Sequence, residues 1–148
     1  MTGVDYNSYA DMYDLVLLAL CCWREARGQP KIAKTGQAYT VKNRLAHPGW
    51  WGHSYATIIL MPFQYSSFDH ADPNSVKMPF PDDPSWLECL EVAQDVYQGI
   101  AADPTSGSTH YYDASLDAHP PKWATDGSMV HEIDLGLFRF WKIAQVKT

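Results

Sequence analysis

Apolar residues recur at helical spacing from Met12 to Ala26, with Met12, Leu15, Val16, Ala19, Cys22, Trp23 and Ala26 on one stripe. Leu17, Leu18 and Leu20 widen that stripe over most of the circumference, which predicts a helix inside the protein. Gly28-Gln29-Pro30 stops it, because glycine accepts the left-handed cap conformation and proline cannot continue the ladder. A second helix is predicted over Ile32 to Ala46, with Ala33, Gly36, Gln37, Thr40, Val41, Arg44 and Leu45 on one side. The small residues of that face permit close approach to the first helix. His47 to Gly52 breaks the pattern, and Tyr55 to Leu60 is a short apolar helix ended by Met61-Pro62.

Four of the ten prolines fall between Phe68 and Pro84, so this stretch reads as a long irregular loop. Ser85 and Glu88 have the spacing of a capping box opening a helix to about Ala102. Trp86, Cys89, Leu90, Ala93, Val96, Tyr97 and Ile100 are its core stripe. Strand patterns follow at Ser108 to Asp113, Met129 to Asp134 and Leu137 to Ile143, the last two joined by a turn at Leu135-Gly136. The expected architecture is α+β, with four main helices, a small antiparallel sheet and a cleft between them.

Length and composition add bounds. A chain of 148 residues with 46% hydrophobic and 19% charged residues is expected to form one globular domain over residues 1–148. A net charge of -6 argues against a general nucleic-acid binder, which would carry a basic face. Cys21, Cys22 and Cys89 all fall on apolar helical faces, so they read as reduced packing residues rather than a disulfide framework. Met1 to Ala10 has no charged-then-apolar leader, and Leu15 to Trp23 is too short to span a bilayer. The expectation is synthesis in the cytoplasm and no stable membrane association.

Glu25 is the acid that stands out, in the last turn of the apolar first helix. Apolar neighbours and the negative end of the helix dipole disfavour its charge, whereas Arg24 and Arg27 favour it. A carboxyl kept protonated near neutral pH is what a general acid needs. The alternative is an exposed glutamate at a frayed helix end, paired with an arginine.

WREARGQP around Glu25, VKNR at Val41 to Arg44, FQYS at Phe63 to Ser66 and DPTSGSTHYY at Asp103 to Tyr112 occur in one order. In that order they resemble the SleB-type cell-wall hydrolase family, over about Leu15 to Lys142. The resemblance implies a fold like that of lysozyme and the lytic transglycosylases. It implies cleavage of bacterial peptidoglycan glycan strands, with Glu25 as the catalytic residue; no cofactor or metal is expected. The scheme it implies needs one glutamate, which protonates the glycosidic oxygen and then deprotonates the muramic C6 hydroxyl to close a 1,6-anhydro ring. Gln64, Tyr65 and Ser66 match a cleft wall that binds substrate, the tyrosine adding a hydroxyl where the family has phenylalanine. Thr109, His110 and Tyr111 match the family's T-H-Y, and Trp123-Ala124 its late W-A. On a strand, His110 and Tyr111 point to opposite faces, so at most one of the two, with its alternate neighbours, is expected to line the cleft. The chain departs from the family pattern at Gln29, which replaces a glutamate, and at Phe138, which replaces a histidine. A cell-wall enzyme without a leader fits a monomeric phage endolysin, released by a separate protein that opens the membrane.

Several readings stay open beside this one. Asn43 and Arg44 either support the Glu25 region or are a helix-end cap and a surface charge. Trp50 and Trp51 form either a sugar platform or a lid on the core. A hydrolytic lysozyme mechanism needs a second carboxylate, for which Glu132, Asp69 and Asp113 are the candidates. Cys22 with His110 as a thiol nucleophile is disfavoured by the apolar helix around the cysteine. The six scattered histidines lack zinc-ligand spacing. With 14% aromatic residues, a non-catalytic sugar-binding module is the alternative of another class.

Overall fold

The computed structural model describes residues 4–47 and 50–144. Helix α1 (Tyr9–Ala26) opens at Ser8, whose hydroxyl accepts from the Asp11 amide. It is packed by α2 (Lys31–Leu45), α3 (Tyr55–Leu60) and α4 (Pro84–Tyr97). Helices on several sides explain why Leu15, Leu18, Leu20, Cys21, Cys22 and Trp23 are all buried. The stripe is rotated from the expected one, however, because Val16 lies on the outward side with Tyr9 and Tyr13 and is 44% exposed.

Two expectations about α4 are corrected. Its N-cap is Asp83, not Ser85: the Asp83 carboxylate accepts from the Ser85 amide and hydroxyl, and Pro84 takes the first helical position, which needs no amide donor. Glu88 is thereby free to pair with the buried Lys34 at 2.8 Å. The helix also ends at Tyr97, where Gly99 (φ +73°) turns the chain, so Ile100 is exposed rather than part of a core stripe.

Strands β1 (His110–Asp113), β2 (Met129–Leu135) and β3 (Phe138–Ile143) form an antiparallel sheet in the order β1-β3-β2. Gly36 on α2 faces this sheet rather than α1: a Cβ there would lie 2.8 Å from Phe140 Cζ and 2.9 Å from Thr105 Cγ2. Gln29 is also structural, its side-chain oxygen accepting from the Leu137 amide at 2.8 Å in the β2–β3 turn. Ala26, Ala33, Leu135, Phe138 and Phe140 form a small core between helices and sheet, beside the larger helical core. Tyr111 packs against both and so marks their junction.

Cys21, Cys22 and Cys89 are buried free thiols, with Cys22 Sγ 3.4 Å from Cys89 Sγ. Burial raises the Cys21 thiol, and the Cys89 contact together with burial raises Cys22, so neither supplies a thiolate nucleophile. Among the described residues, no helix is long and apolar enough to cross a membrane.

Candidate active site

The last turn of α1, the chain from Phe63 to Ser66, β1 and the Lys122–Ala124 turn enclose a cleft of about 700 Å³. Glu25 lines it. Its Oε1 accepts a hydrogen bond from the Tyr111 hydroxyl at 2.8 Å. Burial pushes the Glu25 carboxyl above its ordinary range. The Tyr111 hydroxyl and the hydroxyl and amide of Ser67 oppose that rise, while the nearby Asp72 adds to it. Ser67 Oγ is buried without a well-formed partner of its own, which leaves it available to this carboxyl. Burial and the adjacent Glu25 raise the Tyr111 phenol well above its usual range, so it stays a donor.

Neither neighbouring arginine pairs with Glu25. Arg24 donates to the Lys77 carbonyl and lies over the Phe68 ring, 4.7 Å from its centroid. Arg27 lies over the Trp23 ring and donates to Asn74. Both guanidiniums turn away: the loop after Phe68 offers the Lys77 carbonyl to Arg24 and the Asn74 side chain to Arg27, and the rings of Phe68 and Trp23 take their flat faces. Glu25 is therefore not the arginine-paired glutamate of the alternative reading.

Arg44 is a buried cation on the cleft wall, and among the described residues no carboxylate pairs with it. Its Nε donates to the Thr109 carbonyl at 2.8 Å and its Nη1 to Gln64 Oε1 at 3.0 Å. A guanidinium only donates, so it fixes the Gln64 oxygen inward and leaves the amide nitrogen as the group offered to the cleft. Asn43 holds the same region from below, donating to Asp103 Oδ2 and the Ser108 carbonyl, each at 2.9 Å. These two residues thus position Gln64 and β1 and do not touch Glu25.

The expected substrate-contacting residues separate into two groups. Gln64, Ser66, His110, Tyr111 and Trp123 line the cleft. Tyr65 does not: it is 1% exposed, lies under Arg44, and its hydroxyl is 3.0 Å from Thr40 Oγ1, so it adds no hydroxyl to the site. Thr109 is also buried, its hydroxyl 2.9 Å from His110 Nδ1 and its carbonyl held by Arg44, so it supports the wall from behind. The expected alternation along β1 is corrected too, since His110, Tyr111, Tyr112 and Asp113 all border the cleft. β1 is an edge strand with β3 on one side only, and residues from both of its faces border the cleft.

His110 sits between Trp123 (ring centroids 4.9 Å) and Trp51 (6.0 Å). Burial, and then the Arg44 charge, lower its imidazolium pKa to about 4, so the ring is neutral at ordinary pH. Trp51 is covered by His47, Trp50 and the Arg44 guanidinium, which favours a packing role. Trp50 is largely exposed and outside the main cleft. Phe138, where the family pattern has histidine, is a buried ring 4.8 Å from that of Tyr111 and forms an apolar part of the cleft wall.

Of the second carboxylates considered, Glu132 is paired with Lys142 at 2.9 Å and Asp69 accepts from the Phe63 amide. Asp113 lines the cleft while capping the short turn after β1 through Ser115. Among the described residues, no group of three or more His, Cys, Asp or Glu is arranged to hold a metal ion. Sequence reasoning missed Ser67, which is one residue beyond the FQYS motif and carries no periodic signal of its own.

A helical body and a three-stranded antiparallel sheet with a cleft between them make an α+β fold of the SleB lytic-transglycosylase kind. The chain belongs to the cell wall hydrolase family, whose model matches residues 28–140. Glu25 lies just before that span. The fold is similar to that of the catalytic domain of the germination-specific lytic transglycosylase SleB from Bacillus anthracis. That match has a TM-score of 0.69 and 20% identity, over 93% of this chain and 100% of that one. The catalytic domain of the Bacillus cereus SleB protein is similar as well, with a TM-score of 0.66 and 21% identity over 96% and 98% of the two chains. No curated protein matches the chain.

Proposed function

We propose that this protein cleaves the glycan strands of bacterial peptidoglycan by a lytic transglycosylase reaction with Glu25 as the single acid and base. The observation that carries the reading is the desolvated Glu25 carboxyl in the cleft, hydrogen-bonded to Tyr111. Membership of the cell wall hydrolase family supplies the substrate class. Protonated Glu25 donates to the oxygen between the muramic acid and glucosamine residues, and that bond breaks. The carboxylate so formed keeps its hydrogen bond from Tyr111, with Ser67 beside it, which stabilises the charge where it develops. Glu25 then removes the proton from the muramic C6 hydroxyl as that oxygen bonds to C1. The 1,6-anhydro ring closes, no water is consumed, and Glu25 is again protonated.

The walls support the same reading. The Gln64 amide offers a donor suited to an acetamido carbonyl. Trp123 and the neutral His110 ring give an aromatic surface suited to the apolar face of a sugar. We further propose that this cell wall hydrolase acts as a phage lysin, made in the cytoplasm and reaching the wall once a separate protein has opened the membrane.

One observation favours a second reading. Asp113 borders the cleft with Glu25 and is the carboxylate available to activate a water or stabilise a glycosyl cation. Mass spectrometry of glycan released from purified sacculi separates the two. Anhydro-muramic ends support the transglycosylase scheme, whereas reducing ends carrying an added water overturn it in favour of hydrolysis with Asp113.

A further inference from the structure

Phe63 is held in a conformation that neither its residue type nor its packing explains. Its φ is +65°, in the left-handed region that a bulky side chain disfavours. The residue is 87% exposed, so no burial offsets the backbone strain. The Asp69 carboxylate fixes the conformation by accepting from the Phe63 amide at 3.1 Å. The same ring lines the cleft that holds Glu25, next to Gln64, whose side chain Arg44 locks in place. A glycine would meet the backbone requirement without strain, yet the chain places an aromatic ring there.

We propose that Phe63 is a specificity-determining residue whose ring stacks on a pyranose of the glycan bound in this cleft; the inference rests on the glycan-cleaving function proposed above. The left-handed backbone sets the direction of the Phe63 Cα–Cβ bond before substrate arrives, so the chain need not rearrange there on binding. The apolar C–H face of an N-acetylated sugar is the surface such a ring accepts. With the Gln64 donor beside it, the pair reads one sugar by stacking and by a hydrogen bond to its acetamido group.

The test compares wild type, Phe63→Gly and Phe63→Trp for thermal unfolding and for cleavage of soluble peptidoglycan glycan fragments. Phe63→Gly removes the ring and the strain together, so its melting temperature is expected to rise while KM rises ~tenfold, with kcat within about twofold. Phe63→Trp keeps a stacking surface and is expected to hold KM near the wild-type value. A Phe63→Gly enzyme with unchanged KM overturns the stacking role, and one that melts lower shows Phe63 to be structural. If wild type cleaves no glycan at all, the functional proposal itself fails and this inference with it. Glycan cleavage that is indifferent to Phe63 overturns this inference alone.

Discussion

The Tyr111 hydroxyl donates to Glu25 Oε1 at 2.8 Å, joining residues 86 positions apart at the meeting point of the helical core and the sheet core. The contact favours the carboxylate and so lowers a carboxyl pKa that burial raises. Tyr111→Phe keeps the ring against Phe138 and Phe140 while deleting that donor. The Glu25 pKa is then expected to rise further. The rate should fall roughly tenfold or more, and the high-pH limb of the pH–rate profile, where the acid ionises, should move to higher pH. A profile that keeps its limb in place would remove Tyr111 from the acid's control.

A carboxyl raised by burial makes stability depend on pH with a definite sign. The folded protein holds the Glu25 proton more tightly than the unfolded chain, whose value is near the ordinary 4.5. Stability from this group is thus fully present below about that pH and is lost as pH rises through the higher folded value. Glu25→Gln removes the cost of the buried charge and can still accept from Tyr111. Its melting temperature is expected to exceed that of wild type at pH 7, with the difference shrinking toward pH 4.

His110 has the opposite dependence. Its folded pKa is lowered to about 4 from an ordinary value of 6.5. The unfolded chain therefore takes up the proton first as pH falls, so stability from this group is present above about 6.5 and lost on the way down to about 4. A histidine NMR titration should find its midpoint near 4, and His110→Gln should flatten this part of the stability profile.

Gly36→Ala tests the junction between α2 and the sheet. Alanine favours a helix interior by about 1 kcal/mol over glycine. Here its Cβ would press on Phe140 and Thr105 at under 3 Å, within a core that also holds one wall of the cleft. Overpacking of this kind costs about 1–3 kcal/mol, so a lower melting temperature is expected despite the gain in propensity.

The helical body was legible because its apolar spacing is long and unambiguous. Glu25 was legible because it interrupts that spacing next to a stop signal. Boundaries were lost where local chemistry competed, as when Asp83-Pro84 outranked Ser85 as the start of α4. The two buried members of the expected binding set, Tyr65 and Thr109, were misread for a different reason. A motif says which residues belong together in sequence, but not which of them faces the cleft and which braces its neighbour from behind. The rotated face of α1, the inward turn of Arg44 and the strained Phe63 all depend on contacts made across the chain, and one-dimensional spacing does not encode these.

The most direct measurement is the rate at which wild type and Glu25→Gln release soluble glycan from purified peptidoglycan sacculi, with sacculus binding recorded in the same samples. Glu25→Gln is expected to bind as wild type does and to release glycan at least ~100-fold more slowly, the range that loss of a general acid produces. Release at the wild-type rate would contradict the assignment of Glu25 as the acid, whatever ends the products carry.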